Sequence, residues 1–493
     1  MYLKLLRTKL KRLPKSGEIS IYLSLVFTLI ISLVLTVITV ARGAALQVAF
    51  ECAVESALLS AFGEYDRELL ERYDVFFIDL SYLSNSPDPK NLEARLNEYF
   101  YDNFHPEDAT NLLFYSDLID VKDVNVSLSE YELATDRKGK PFARQVIKYM
   151  SNLIGIEEIT KTTDLIAVWD SYDLNSEKFE EIRDELTDSI SYSDEDTWEQ
   201  TEIKDYFLSW MYPDYGVLGI MGTDYFKLSP RRIDPSYTLE KRTLEKGVGD
   251  LTEFSLNPSE SIMLSEYALL KTGNYLEEKE DTKLKYETEY IIFGQGNDVM
   301  NMQCMVMTLF TVRTLADYIS LNFASDKVEY VREAAEFVST LTKIPEEIIT
   351  QVVLFGWGEL EAITDVRSLL GGESVPLIKT SDEINVSING LINFLGDGIE
   401  TSDGEESVSY EAGDIPSIKL DYKAYLRIFL YLMPSWIKTY RTMDIIEFNL
   451  RDSDTGNEFF RFDACVDRLK AAFSMESGFD FRFVSEKKYS YFE

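Results

Sequence analysis

The sequence predicts an α+β fold: a long N-terminal transmembrane and stem helix, followed by a mostly helical outer domain with strands near both ends. Three observations carry this. Residues 19–41 form an uncharged apolar run, "ISIYLSLVFTLIISLVLTVITVA". Helix-period patterns fill the middle of the chain. Period-two alternation occurs near both ends, through Val124, Val126 and Leu128 and again through Phe479, Phe481 and Phe483.

The N-terminal tip comes first. Lys4, Arg7, Lys9, Lys11, Arg12 and Lys15 all precede the first acid, Glu18. The 23 residues from Ile19 to Ala41 reach roughly 34 Å as a helix, enough to cross a hydrocarbon core of about 30 Å. A cleaved secretion signal has an apolar run of only about 7–15 residues, although Ala41-Arg42-Gly43 offers small residues at cleavage-site spacing. With the basic cluster ahead of the span, the positive-inside rule places residues 1–17 in the cytoplasm as a leader and the bulk of the chain outside. A single-pass cell-membrane protein is the expected topology.

Residues 42–73 are rich in Ala, Leu and Glu and lack Pro, so the span at 18–41 is expected to continue outside as a stem helix. Small residues recur every fourth position at Ala41, Ala45, Ala49, Ala53, Ala57 and Ala61. A second row of small or β-branched residues runs from Ser20 to Ser60. Such rows let helix backbones approach closely in lipid. Two readings stay open: the rows meet neighbouring subunits, or the Ser/Thr row bonds its own backbone while the Ala row packs on the protein's own body.

The outer domain, 74–493, opens with an apolar run at Asp74 to Leu80 that predicts a buried strand. A second strand is predicted at Asp123 to Leu133. Helices are predicted at 142–152, 177–190, 261–272, 298–323, 328–342, 345–370 and 422–433. The acidic, turn-rich stretch 192–257 breaks the pattern and reads as an insertion. Residues 396–416 read as an exposed loop.

The 493 residues carry 49 basic and 86 acidic side chains, a net charge of −37. Setting aside the six basic residues of the tip leaves 43 against 86, or −43 for the rest. Such a body repels phosphate backbones, which argues against nucleic acid as a partner.

Motifs for chemistry are sparse. His105 is the single histidine, so a histidine-based triad has one residue to draw on. The sequence contains no P-loop, HExxH or GxSxG motif, and no cofactor is expected. Abundant acids keep a carboxylate-dependent hydrolase as a third alternative. "RDSDTGNEFF" (451–460) places Asp452, Asp454, Asn457 and Glu458 around Gly456, a candidate calcium loop, though a plain turn between a helix and a strand accounts for it as well. Cys52, Cys304 and Cys465 make no metal motif, and the last two are read either as buried thiols or as a bridge.

The N-terminal stretch "EISIYLSLVFTLIISLVLTVI", followed by "ARGAALQVAFECAVESALLSAFGEYDRELLERYDVFFIDL", resembles the N-terminus of TadE/TadG-like, pseudopilin-related surface proteins of Gram-positive bacteria. "YELATDRKGKPFARQVIKYM" (131–150), "LKYETEYIIFGQGND" (284–298), "ITDVRSLLGGESVPLIKT" (363–380), "LDYKAYLRIFLYLM" (420–433) and "RTMDIIEFNLR" (441–451) are similar to the large, poorly characterised outer domain of that group. The resemblance implies a non-enzymatic structural or assembly role beside a Flp-type (tight-adherence) pilus or secretion apparatus. The implied partners are the lipid bilayer and pilin- or pseudopilin-like membrane subunits. It also makes Gly17-Glu18 a candidate prepilin-peptidase site. Here the sequence departs from the pattern, because the family's Glu stands at the fifth position after the Gly, where this chain has Tyr22. The alternative reading is a single-span surface binding module.

Overall fold

The computed structural model describes residues 16–103, 121–191, 216–249, 256–387, 418–453, 457–478 and 480–492. Its helices and strands, in chain order, are α1 (Ser16–Phe62), α2 (Arg67–Tyr73), β1 (Ile78–Asp79), α3 (Pro89–Asp102), β2 (Val121–Leu133), α4 (Asp136–Leu153), α5 (Ile156–Ser171), α6 (Ser176–Ser191), α7 (Pro258–Lys271), α8 (Glu287–Phe293), α9 (Asp298–Phe323), α10 (Ser325–Thr342), α11 (Glu346–Leu370), β3 (Val375–Pro376), β4 (Lys419–Leu420), α12 (Tyr422–Leu432), α13 (Ser435–Arg451), β5 (Cys465–Ser477) and β6 (Arg482–Ser490). The predicted α+β class, the long leading helix and the strands near both ends are all present.

The stem does not run unbroken to residue 73. The helix stops at Phe62, where the Gly63 N–H turns back onto the carbonyls of Leu59 and Ser60. A new helix, α2, starts behind Asp66, whose carboxylate accepts from the Leu69 N–H. The strand expected over 74–80 shrinks to Ile78–Asp79.

β5 is the centre of the main sheet. It pairs antiparallel with β2 along one edge, while β6 and the short β1 share the other. Glu132 opposes Arg468 and Leu133 opposes Val466, so Asp467 is an extra residue that bulges the strand. Val466, Leu469, Ala471, Phe473 and Met475 therefore all reach one core, with α1 and α3. Asp467 turns to α4, where Arg144 pairs with it and Gln145 Nε2 donates at 2.7 Å.

The helical half gathers around α9 and α11, the largest apolar cluster of the protein. A buried ionic network clasps the segment carrying β3 between them. Arg313 donates to Asp365 at 2.9 Å, to Asp317 at 2.6 Å and to the carbonyls of Pro376 and Leu377 at 2.9 and 3.0 Å. Lys379 reaches Asp365 at 2.7 Å and pairs with Glu361. Every charge here is hydrogen-bonded, the condition under which buried ions are tolerated.

Residues 216–249 of the expected insertion are built into this body. Val217, Leu218, Ile220 and Met221 are buried in the large cluster, and Arg242 ties Glu447 to Asp463. Residues 192–215 and 250–255 of that stretch, the predicted loop 396–416, His105 and Phe479 lie outside the described residues. Cys304 on α9 and Cys465 at the head of β5 are both free thiols, not a bridge.

Candidate functional site

The candidate site is α1 together with the surface that receives it. Its 47 residues form one helix because nothing in them interrupts the i→i−4 ladder: there is no Pro, and Gly43 is the single interior glycine after the first turn. The two halves of this helix meet different surroundings. From Ile19 to Val40 the large apolar side chains stand free of the body, Tyr22 being 69 % exposed and Leu29 68 %. Apolar surface of this extent on one helix marks a membrane or protein contact, and the helix is long and apolar enough to span a bilayer. Gly17 and Glu18 lie within its first turn.

The second half is an integral part of the fold. Phe50, Ala53, Val54, Ala57, Leu58, Ala61 and Phe62 are buried with Leu92, Leu96 and Phe100 of α3 and the inner face of β5. Phe50 meets the ring of Phe100 edge-on at 5.7 Å and stacks with Phe483 at 5.8 Å. Phe62 sits 4.7 Å from the Tyr489 ring and 4.8 Å from that of Tyr491, and the Tyr491 hydroxyl donates to the Phe62 carbonyl at 3.0 Å. That bond satisfies one of the carbonyls a helix end leaves without a partner. Where the helix leaves the body, a Cβ on Gly43 would lie 3.0 Å from the Phe481 ring, so glycine permits the close crossing.

The alanine row is thus divided. Ala53, Ala57 and Ala61 are buried in the protein's own core and Ala49 is half-buried, whereas Ala41 and Ala45 are exposed. In the hydroxyl row, Ser24, Thr28, Thr36 and Ser60 donate to carbonyls three or four residues back at 2.8–2.9 Å. The inward-packing reading therefore holds for the lower stem. Cys52, on the same stretch of the helix, is an exposed free thiol.

The described members of the proposed calcium set each have a contact of their own. Asp452 pairs with Lys283 at 2.7 Å. Asn457 uses its amide to donate to Glu68 at 3.0 Å, and Glu458 offers its main-chain carbonyl to Arg451. Asp454 lies outside the described residues. Among the described residues no three acidic, His or Cys side chains form a metal-sized group.

The buried acids were not singled out from the sequence. Glu287 accepts from the Gly273 N–H at 2.8 Å and from Asn449 at 2.6 Å. Glu289 accepts from the Tyr275 N–H at 2.9 Å and the Tyr422 hydroxyl at 2.6 Å. Asp444 accepts from the Leu239 N–H at 2.8 Å and the Tyr290 hydroxyl at 3.0 Å. Burial pushes all three carboxyls up to about 7. Their partners are main-chain amides and side chains of neighbouring elements, which makes them ties between α8, α12 and α13. Their signal in the sequence was the charged residue inside otherwise apolar helical words, as in "YETEY" and "MDIIEF".

The fold and this helix define a class: an α+β body carried on an N-terminal apolar helix that fits a membrane anchor. A protein-family profile matches residues 201–477, more than half of the chain, and the chain belongs to that family, DUF5702, described as a family of unknown function. No curated protein and no solved structure matches the chain.

Proposed function

We propose that the protein is a membrane-anchored, pseudopilin-like structural or assembly subunit of a Tad/Flp-type pilus or secretion apparatus. Its N-terminus lies in the cytoplasm and its body at the cell surface. The observation that carries the reading is the division of α1: one unbroken helix whose first half leaves its apolar surface uncovered and whose second half is buried against a sheet. A simple anchor needs the first half alone. A helix rigidly continuous with the body also fixes the body's height and direction above the bilayer, as a subunit of an ordered assembly requires. Ala41 and Ala45 are the part of the small-residue row left open to neighbours, and small residues at this spacing support close helix contact in lipid.

The test is photo-crosslinking in living cells from Leu33 and Ala45, followed by mass spectrometry. Adducts with small single-helix pilin-type subunits are the expected result. Adducts with lipid alone at both positions, in cells that make the apparatus, overturn the assembly role and leave the anchor. The mature N-terminus decides processing separately: Glu18 means cleavage after Gly17, and Met1 or Tyr2 means none.

A further inference from the structure

A cavity of about 380 Å³ lies where α4 begins, between the end of β2 and the segment 244–249. Its wall includes an unusual turn. Arg137, Lys138 and Gly139 are three successive residues in the left-handed region, at φ of 51°, 65° and 78°. For residues with side chains this conformation costs about 1–2 kcal/mol each, and such strain concentrates at functional positions. The turn is fixed from several sides. The Asp136 carboxylate accepts from the N–H of Leu133 at 2.7 Å and of Gly247 at 3.1 Å. The Gly139 N–H donates to the Thr135 carbonyl at 3.1 Å, which also receives the Tyr440 hydroxyl at 3.2 Å. A Cβ on Gly139 would fall 2.6 Å from the Thr439 methyl group. Tyr131 and Val248 exchange two main-chain hydrogen bonds of 2.9 Å, which tie the opposite wall to β2.

The polar groups around this cavity are unevenly committed. Asp136 is occupied by main-chain amides, and Glu132 pairs with Arg137 at 3.2 Å and faces Arg468 at 3.4 Å. The Lys138 ammonium is held over the Trp436 ring at 5.0 Å, a contact that leaves its protons able to donate. Lys246 is exposed on the rim. Thr135 lines the cavity, is only 3 % exposed, and its hydroxyl has no hydrogen-bond partner. A buried hydroxyl without a partner costs about 1–3 kcal/mol, which a ligand contact would recover. The regular turns of α4 begin just after Gly139, so the positive end of that helix adjoins the same space.

We infer that this cavity is a binding site for a small oxyanion-bearing ligand, a carboxylate or a phosphate ester, held by Lys138, Lys246 and Thr135 at the start of α4. The remaining uncommitted acid on the wall is Glu245, set against two ammonium groups, a hydroxyl and a helix N-terminus. The wider acidic surface does not forbid this, because charges beyond about 8 Å are largely screened at physiological ionic strength. The site stands independently of the pilus reading.

The experiment uses the full-length chain in detergent micelles at constant ionic strength, with sodium phosphate and sodium acetate as separate probes. Binding is followed by phosphorus or proton line broadening and by the shift in unfolding temperature. Saturable binding of either probe is expected, phosphate alone marking a phosphate site and acetate alone a carboxylate site. Loss of one charge-assisted hydrogen bond in Lys246→Gln or Lys138→Gln should weaken binding by about tenfold or more. Thr135→Val should weaken it while the probe-free protein keeps or gains thermal stability. Lys246 is exposed, so its variant folds as the wild type does. Saturation by neither probe overturns the site, and so does equal affinity in the wild type and both lysine variants, the signature of an adventitious ion only.

Discussion

The two halves of α1 share one backbone and much the same apolar character, yet they obey different physics. Around Phe27 and Leu29 the side chains meet nothing within the protein. Phe50 and Phe62 are buried against rings of α3, β6 and Tyr491 just beyond it. Composition alone does not separate them; what does is the spacing of charge. No ionisable side chain but the Tyr22 phenol occurs from Ile19 to Ala41, whereas Glu51 and Glu55 mark the water-facing side of the second half and leave Phe50, Val54, Ala57 and Ala61 for the core. A stripe of that width is the mark of a helix packed on a body, and a helix apolar all round is the mark of a membrane span.

The sharpest way to break this contrast is to delete a ring from each half. Phe50→Ala should destabilise the body by about 3–5 kcal/mol, the usual cost of emptying an aromatic site in a core. Phe27→Ala should leave the body's unfolding temperature unchanged. Calorimetry on detergent-extracted protein measures both, and equal effects would erase the distinction between the halves.

Next in size are the alanines. Ala57→Leu forces a larger side chain into a fully closed position and should cost about 1–3 kcal/mol. Ala45→Leu keeps helix propensity, adds a side chain outside the core, and should move stability by less than about 0.5 kcal/mol. If the exposed row meets other subunits, Ala45→Leu will instead reduce cross-linked partners, a readout that thermal unfolding does not register.

A third contrast uses pH. Glu287, Glu289 and Asp444 lie in the body, outside α1. Their folded-state carboxyls are raised to about 7 from ordinary values of 4.5, 4.5 and 3.8. The folded chain therefore holds more protons than the unfolded one between the ordinary values and about 7, and stability falls as pH rises through that window. The unfolding temperature should be higher at pH 5 than at pH 8. Glu289→Gln, which keeps the amide-accepting oxygen, should flatten that slope. A slope unchanged in this variant would show that other groups set it.

The smallest effect belongs to the water-facing side of the stem. Glu51 and Lys487 lie 3.1 Å apart with both side chains well exposed. Lys487→Gln should cost under about 1 kcal/mol and weaken with added salt. A larger loss would mean that this pair, rather than the aromatic packing, locks α1 onto β6.

Much of this was legible before any coordinates. The bounds of α9, Asp298–Phe323, follow directly from its apolar pattern, and β2 from its alternation. The central strand was not, because Asp467, Arg468 and Lys470 interrupt "CVDRLKAAFSMES" and the bulge at Asp467 shifts the alternation by one. α13 was missed for a related reason. Asp444, Glu447 and Asn449 are all buried on it, so its polar residues do not mark a solvent face. The cavity had no sequence signal beyond "DRKGKP", since a left-handed turn is a tertiary agreement among Asp136, Gly139 and Gly247. The split of the alanine row could not be read from spacing, which is the same above and below Ala49.

The place of β5 in the chain has a consequence for how the protein is made. Ser129 on β2 hydrogen-bonds to the carbonyl of Lys470, 341 residues later. Until β5 and β6 have emerged, β2 has no neighbour on that edge, and Phe50 and Phe62 have no sheet to cover them. Contacts this distant in the chain form late, and unpaired edges with bare apolar faces attract other chains meanwhile. The body therefore closes only after β5 and β6 arrive, and loss of both strands leaves the stem without the sheet that covers it. A chain cut short before Cys465 keeps its apolar helix but leaves β2 an unpaired, protease-sensitive strand.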